Sequence, residues 1–278
     1  MALSIHTNYS SLITQTNLSK TNNALGTNQQ RLGTGLRINS AADDAAGLQI
    51  ATRLNAQSRG MGVAMRNTND AVSLLQTAEG ALNEMTDIVQ RMKDLATQAA
   101  NDTNSADDRT AIQAEFDALS EEITNIFDNT KYAGEALFGA GKFGADAVTF
   151  QIGASTAETM VVDVSGKADA LDSLLGSDIS TLDLTTAANA AIDTLASALN
   201  SIGSLRADFG ANINRLNHTN NNLANMKDNT EMAKGRIMDA DFASESANMT
   251  KNSMLMQSGI SMLKQAGQMP SMVMGLLG

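Results

Sequence analysis

Apolar positions step along this chain by three and four over most of its length, the spacing of one face of a helix. The stripe is thin at both ends and wide between them. Ile5, Tyr9 and Leu12 step by four then three, and Leu18, Leu25 and Leu32 repeat at seven, with Thr, Asn, Gln and Ser between them. Such a one-stripe helix cannot bury itself and needs a partner along its length. Gly33-Thr34-Gly35 predicts a flexible break, with Gly33 and Gly35 as the hinge. Ser40 with Asp43 then predicts a helix start, the serine capping while Asp43 and Asp44 meet the positive helix end. The strongest pattern follows: Ala71, Leu74, Ala78, Ala81, Met85, Ile88, Met92, Leu95 and Ala99, widened by Val72, Leu75, Leu82 and Val89. A helix from about 43 to 100 would be roughly 85 Å long at 1.5 Å per residue. Gly60 and Gly62 predict a bend near its start.

Asn101-Asp102-Thr103-Asn104 reads as a turn, and Ser105 with Asp108 restarts a helix. Its seam is Ile112, Phe116, Leu119, Ile123 and Ile126. From about 130 to 176 glycines gather and Phe138, Phe143 and Phe150 appear. Residues 148–152 and 160–164 read as two short strands, a β-hairpin. The helical step returns from Thr185 through Ile192, Leu195, Leu199, Ile202, Phe209, Ile213, Leu216 and Leu223. A softer zone is expected at 234–241. The last segment, about 242 to 269, is amphipathic and rich in methionine. Met249, Met256 and Leu263 share one stripe, and Leu255, Met262 and Met269 an adjacent one. Pro270 predicts an end or kink, and Leu276-Leu277-Gly278 closes an apolar tail.

The layout is a near palindrome, and the fold class expected is mainly α. It is a long antiparallel helical coiled-coil or bundle rod with a small β-hairpin insert. The thin terminal helices pair with each other. Three seamed helices form one bundle, with the hairpin capping its far end. The bundle seam comprises Leu74, Met85, Ile88, Met92, Leu95, Ile112, Phe116, Leu119, Ile123, Ile192, Leu195, Leu199, Ile202, Phe209, Ile213 and Leu216. Division falls at 1–36 plus 242–278 for the terminal-helix coiled coil and 37–241 for the bundle, with its insert at about 130–176.

Composition narrows the function. Among 278 residues there are 16 Met, one Pro and neither Cys nor Trp. Absent cysteine excludes disulfide scaffolds, thiolate metal sites and cysteine nucleophiles. A net charge of −11 argues against nucleic acid and against anionic membranes as partners. The N-terminus lacks a basic region and an unbroken apolar run, so no cleaved secretory signal is expected, and no window approaches a membrane span. No cofactor or metal is expected. Gly141-Lys142 lacks the earlier glycine and the following Ser or Thr of a phosphate loop. Asp102-Thr103-Asn104 opens like a calcium loop but has Asp107 and Gln113 where glycine and glutamate belong. His6 and His218 stand in no ligand spacing, and Asp43-Asp44 is explained by the helix start. Thin parallel seams form no reactive pocket, so an enzyme is not expected. The residues describe a self-associating helical rod.

The run Gln30-Arg31-Leu32-Gly33-Thr34-Gly35-Leu36-Arg37-Ile38-Asn39-Ser40-Ala41-Ala42-Asp43-Asp44-Ala45-Ala46-Gly47-Leu48 resembles the N-terminal signature of bacterial flagellin. Asn67-Thr68-Asn69-Asp70-Ala71 and Glu79-Gly80-Ala81-Leu82 follow it. Gly210-Ala211-Asn212-Ile213-Asn214-Arg215-Leu216 and Arg236-Ile237-Met238-Asp239-Ala240-Asp241-Phe242-Ala243 resemble the C-terminal one. Two departures are Gly235, where the family usually has Ser, and the methionine-rich tail. The resemblance implies a short form lacking large outer domains. It further implies an extracellular filament subunit for motility, exported through the flagellum's own channel. The terminal helices would form an inner tube, with Leu18, Leu25, Leu32, Met256, Ile260 and Leu263 as its self-assembly surface, and the bundle an outer one. Implied partners are other copies of the chain, an export chaperone, the filament cap and the hook-junction proteins. A host flagellin-sensing Toll-like receptor is implied through Arg91, Leu95 and Glu115. The residue-level alternatives are core packing for Leu95 and a surface pair with Asp87 for Arg91. Hook–filament junction proteins share similar termini, and a secreted coiled-coil tip or translocator protein is the alternative of another class.

Overall fold

The computed structural model describes residues 8–274, without the side chains of Ala145 and 269–274. Ile5, His6, the Met269 side chain and the Leu276–Gly278 tail lie outside the described residues. Among the described residues seven α-helices and four short strands follow one another: α1 (Tyr9–Thr34), α2 (Ala45–Ala99), α3 (Ala106–Asn129), β1 (Lys131–Tyr132), β2 (Glu135–Ala136), α4 (Lys142–Ala145), β3 (Val148–Gln151), β4 (Thr159–Val162), α5 (Ser165–Ser173), α6 (Leu184–Met238) and α7 (Phe242–Met274). A π-helical turn, Leu174–Ile179, follows α5. Two compact units result: residues 1–56 with 229–278, and residues 57–228. The helices α2 and α6 contribute to both.

Unit 57–228 has a large apolar core and a small separate cluster of Met61, Ala64 and Leu223. The large one joins Leu75, Leu82, Met85 and Val89 of α2 to Phe116 and Ile123 of α3 and to Leu195, Ile202, Leu205 and Phe209 of α6. Every expected seam residue lies in this core or packs against it. The centre of the α2 face falls one position from the expected line. Leu75, Leu82 and Val89 are fully buried, whereas Ala81 and Ile88 are only partly so. Packing from two neighbouring helices moves the buried stripe toward its widened edge. Four phenylalanines tie the insert to α3 and α6: Phe127 stacks on Phe138 at 5.2 Å, and Phe143 meets Phe209 in a tilted pair at 5.0 Å between ring centres.

The helix boundaries follow local chemistry. Ser105 and Asp108 form a reciprocal capping box, which satisfies two orphan N–H groups. Bonds from the Ser105 hydroxyl and N–H hold the Asp108 carboxyl below the ordinary aspartate range. The Gln113 amide of α3 reaches the start of α6, donating to the Leu182 carbonyl at 3.0 Å and accepting from Leu184 N–H at 2.6 Å. The zone at 234–241 is not soft: α6 continues through Met238 and only Asp239–Asp241 break it. Gly60 and Gly62 lie inside α2, which runs unbroken through both. At Gly60 a Cβ would stand 2.7 Å from that of Ala154, so this glycine admits the hairpin loop.

The hairpin forms as expected, pairing Val148 with Val162 and Gln151 with Thr159. It does not cap the far end of the bundle. Its loop lies against the first half of α2, where the Asn67 amide donates to the Gln151 carbonyl at 3.2 Å. The 24 residues of α3 retrace part of α2 and return the chain beside Asp70, whose carbonyl accepts from the Tyr132 hydroxyl at 3.4 Å. The insert therefore starts there. The segment 165–179 is helical, which glycines 166 and 176 conceal in the sequence. Leu171, Leu175 and Ile179, four apart, are all buried, because the wider π turn keeps that step on one face.

Leu95 is 2% exposed, so Leu95→Ala is expected to cost about 2–5 kcal/mol. Ile88→Ala, at a partly exposed site, is expected to cost less, and the exposed Gln98→Ala within about 0.5 kcal/mol. Urea unfolding followed by circular dichroism measures all three; equal costs would overturn the assigned face.

Candidate assembly surface

In unit 1–56 with 229–278, α1 and α7 run antiparallel and supply most of the tertiary contacts. The half-buried line of α1 is Ser11, Thr14, Leu18, Thr21, Leu25 and Leu32, with Asn28 buried. On α7 it is Met249, Asn252, Met256, Gly259, Leu263 and Ala266. Both step by three and four, the a/d spacing of a coiled coil. A Cβ at Gly259 would stand 3.0 Å from the Leu18 methyl, so glycine sets the close approach of the two helices. Ile260 is not in this seam; it is exposed, and Gly259 holds the inward position beside Met256. The threonines of α1 return their hydroxyls to carbonyls one turn back, as Thr14 does to Ser10 and Thr21 to Asn17. A polar helix is tolerated in this way.

Polar contacts fix the register at both ends. Asn8 caps α1, its side-chain oxygen accepting from Ser11 N–H at 3.0 Å. Its amide nitrogen donates to the Ala266 carbonyl at 2.7 Å. That carbonyl would bond the N–H of residue 270 in a regular helix, and Pro270 has none. The helix therefore runs past Pro270 to Met274 rather than ending at it, with the freed acceptor satisfied from α1. At the other end Arg31 Nη1 meets Glu245 Oε1 at 3.0 Å, and both side chains are largely buried. In the amide orientation that satisfies both groups, Asn28 donates to the Ala24 carbonyl at 3.0 Å and accepts from Met249 N–H at 3.2 Å.

The connection from α1 to α2 is pinned rather than flexible. Gly33 lies inside α1 with open space beside it, whereas Gly35 is the left-handed cap at φ 71°. The turn therefore pivots on Gly35 alone. Leu36 bridges Asp239, Arg37 N–H donates to the Met238 carbonyl at 2.6 Å, and Ala240 N–H to the Gly35 carbonyl at 2.9 Å. The cap of α2 is Asp44, which accepts from Gly47 N–H at 2.8 Å. Ser40 and Asp43 instead close the turn before it. The Asn39 and Ser40 N–H groups hold the Asp43 carboxyl below its ordinary range. A Cβ at Gly47 would collide with Asp44 and Ile38, which explains glycine there.

A large apolar surface remains uncovered in this unit. Tyr9, Leu12 and Ile13 of α1 and Met254, Leu255, Ile260 and Met262 of α7 are exposed, as is Phe242. Leu255 and Met262 line a groove of about 180 Å³ with Thr14, Leu18 and Gly259. Monomeric proteins seldom leave so much apolar surface open without use. Sequence reasoning placed the leucines and Met256 but passed over Asn8, Asn28 and the Arg31–Glu245 pair. The readable signal was Asn28, a polar residue three after Leu25 on the seven-residue stripe.

In unit 57–228, Arg91 and Glu115 stand together. Arg91 Nε and Nη2 both donate to Glu115 Oε1, at 3.0 and 2.6 Å, so Glu115 and not Asp87 is the partner of Arg91. Leu95 is buried in the core and presents no surface beside them. Among the described residues no group of three or more His, Asp or Glu is placed to hold a metal. No helix among the described residues is long and apolar enough to cross a membrane.

The family model for the bacterial flagellin N-terminal helical region matches residues 5–142, and that for the C-terminal helical region matches residues 192–277. The chain is 35% identical to polar flagellin C of Vibrio parahaemolyticus over 386 aligned positions, covering all of both chains. It is 34% identical to flagellin A of Vibrio cholerae over 381 positions, again in full. Both alignments exceed the 278 residues here, so those relatives carry positions with no counterpart in this chain. The crystal structure of a Bacillus cereus flagellin is similar at a TM-score of 0.50 and 34% identity, over 57% of this chain and 88% of that one. A putative hook-associated protein of Vibrio parahaemolyticus superposes at 0.56 with 16% identity, over 71% of this chain and all of that one. That likeness concerns the fold alone.

The two glycines of the connection are expected to respond in opposite ways. Gly33→Ala, within an exposed helix turn, should stabilise by about 0.5–1 kcal/mol. Gly35→Val should destabilise by more than about 1 kcal/mol, since a branched side chain resists the left-handed region. Thermal unfolding by circular dichroism reads both, and shifts of the same sign would refute the assignment of the pivot to Gly35.

Proposed function

The chain belongs to the bacterial flagellin family and is a structural subunit that polymerises into the flagellar filament for motility, and from that premise we propose how its parts divide that task. The paired helices α1 and α7 form the inner tube of the filament, and unit 57–228 forms the layer outside it. The observation behind this reading is the exposed apolar face on α1 and α7, set beside a bundle whose core is complete in a single chain. Copies of the chain bury that face when they pack. Leu18, Leu25, Leu32, Met256 and Leu263 hold each pair together, and Ile260 faces neighbouring copies.

A flagellar filament lies outside the cell, and this subunit reaches it through the channel of the growing flagellum. An export chaperone, the filament cap and the hook-junction proteins are its partners on that route. The role is structural and involves no reaction. Because the seam is thin, α1 and α7 become fully ordered only on polymerisation, when neighbours cover them. Amide exchange should therefore be fast over residues 9–32 in dilute monomer and slow in the filament. Strong protection of those residues in dilute monomer would overturn the proposal.

Recognition by a host flagellin-sensing Toll-like receptor is assigned to the surface around Arg91 and Glu115. The observation that supports it is an exposed, doubly bonded Arg–carboxylate pair that joins two helices in one rigid feature. Arginine in such a setting often dominates an interface. Leu95 acts from beneath by holding α2 in place. In a receptor-reporter assay, wild-type monomer should signal and Arg91→Ala and Glu115→Ala should signal less. Silence of wild-type monomer where an active flagellin responds, or equal signalling by both variants, would remove the assignment.

A further inference from the structure

Methionine ranges from core to surface in this chain, and besides those of α7, Met226 and Met232 of α6 are 38% and 55% exposed. Met61, Met85, Met92 and Met160 lie in apolar cores at 3% exposure or less. Met254 and Met262 of α7 are 62% and 59% exposed. Leu255 lies beside Met254 and is exposed as well, and Met262 reaches the groove between α7 and α1 at Leu18 and Gly259. A thioether is apolar and pliable, and suits a surface that must repack against neighbours. It is also oxidisable, and its sulfoxide is polar and chiral. Access decides which methionines react, and it separates the exposed ones from those of the cores; Met254 and Met262 are the exposed pair on the apolar face of α7.

We propose that Met254 and Met262 are modification sites at which a hydroperoxide blocks addition of the free subunit to the filament. The proposal rests on the reading that copies bury the exposed face of α7. In the reaction the sulfur lone pair attacks the distal oxygen of the peroxide. An S–O bond forms as the O–O bond breaks. Sulfur loses two electrons, and the departing oxygen takes up the proton released and leaves as water or an alcohol. In the monomer the new S=O group stays hydrated, so the fold is undisturbed. Between packed copies it faces apolar side chains such as Leu255, where its lost water bonds are not replaced. Assembly alone is opposed, and subunits already in the filament are shielded from the oxidant.

The test starts from purified monomer treated with hydrogen peroxide. Sulfoxides are mapped by peptide mass spectrometry, the peroxide is removed, and growth from filament seeds is measured. Met254 and Met262 should oxidise well before the four core methionines, and the critical concentration for growth should rise about tenfold or more. Methionine sulfoxide reductases A and B should restore growth, and the double variant M254L/M262L should grow normally after the same treatment. Undiminished growth of subunits carrying both sulfoxides would overturn the proposal. So would inhibition that the reductases leave in place, or equal inhibition of the double variant. If that variant fails to grow untreated, reversal in the wild type decides. Preformed filaments given the same dose separate the two layers of the argument. Oxidation of Met254 and Met262 there at the monomer rate would refute burial of the α7 face, and the inference with it. Shielding in filaments combined with normal growth of oxidised monomer would refute the switch alone.

Discussion

A helix with one apolar stripe cannot stand alone in water, and α1 carries little more than Leu18, Leu25 and Leu32 on its stripe. Its pairing with α7 depends on contacts that sense position. A heptad slip would keep the two half-buried stripes facing each other, so the apolar pattern alone tolerates it. The same slip would part Glu245 from Arg31 and leave a largely buried carboxylate without its cation, which is strongly unfavourable. It would also set a side chain instead of Gly259 against Leu18, and take Asn8 from the Ala266 carbonyl. The register so chosen brings Leu36 opposite Asp239, and the start of α2 follows from that bridge and from the left-handed cap at Gly35.

The two units solve burial differently. In unit 57–228, α2, α3 and α6 have faces wide enough to enclose one another, and the insert adds phenylalanines that close the core. In the other unit the seam is a single line, and apolar side chains stay outside it. A subunit that must travel as a monomer and then join a polymer needs both kinds of surface. One part must hold its fold without partners, and another must gain from them. The difference is written in the stripe, which is wider around Leu74 than around Leu32.

Much of this was legible because helix periodicity survives at long range. The extents of α2 and α3, the start of α6, the capping box at Ser105 and the strands at 148 and 160 follow from spacing and local caps. The position of the hairpin beside α2 was not legible, because it depends on where α3 ends and not on the hairpin's own residues. Nor was the pivot: Gly33 and Gly35 look alike in sequence, and only the helix end between them separates their roles. The carbonyl freed by Pro270 was implicit, but its donor lies 258 residues away in sequence. Arg91 has an acidic residue one turn back at Asp87, so short range suggested the wrong partner. The antiparallel neighbour supplies Glu115 instead.

Charge is distributed in keeping with this division. The chain carries 30 acidic and 19 basic side chains. Over its whole length α1 has only Lys20 and Arg31, and α7 only Glu245, Lys251 and Lys264. The acidic excess therefore lies elsewhere in the sequence. Charged side chains taken out of water between copies would need partners on every neighbour, and unpaired ones would cost several kcal/mol each. Neutral Ser, Thr, Asn and Gln meet no such demand, since their hydroxyls and amides bond to nearby carbonyls, as Thr14, Thr21 and Asn28 do. Like charges on the remaining surface repel over a distance of about 10 Å at 0.1 M salt, which opposes random clumping of monomers through their exposed apolar face. Only an approach that aligns the weakly charged helices escapes that repulsion, so the charge pattern favours ordered growth over aggregation.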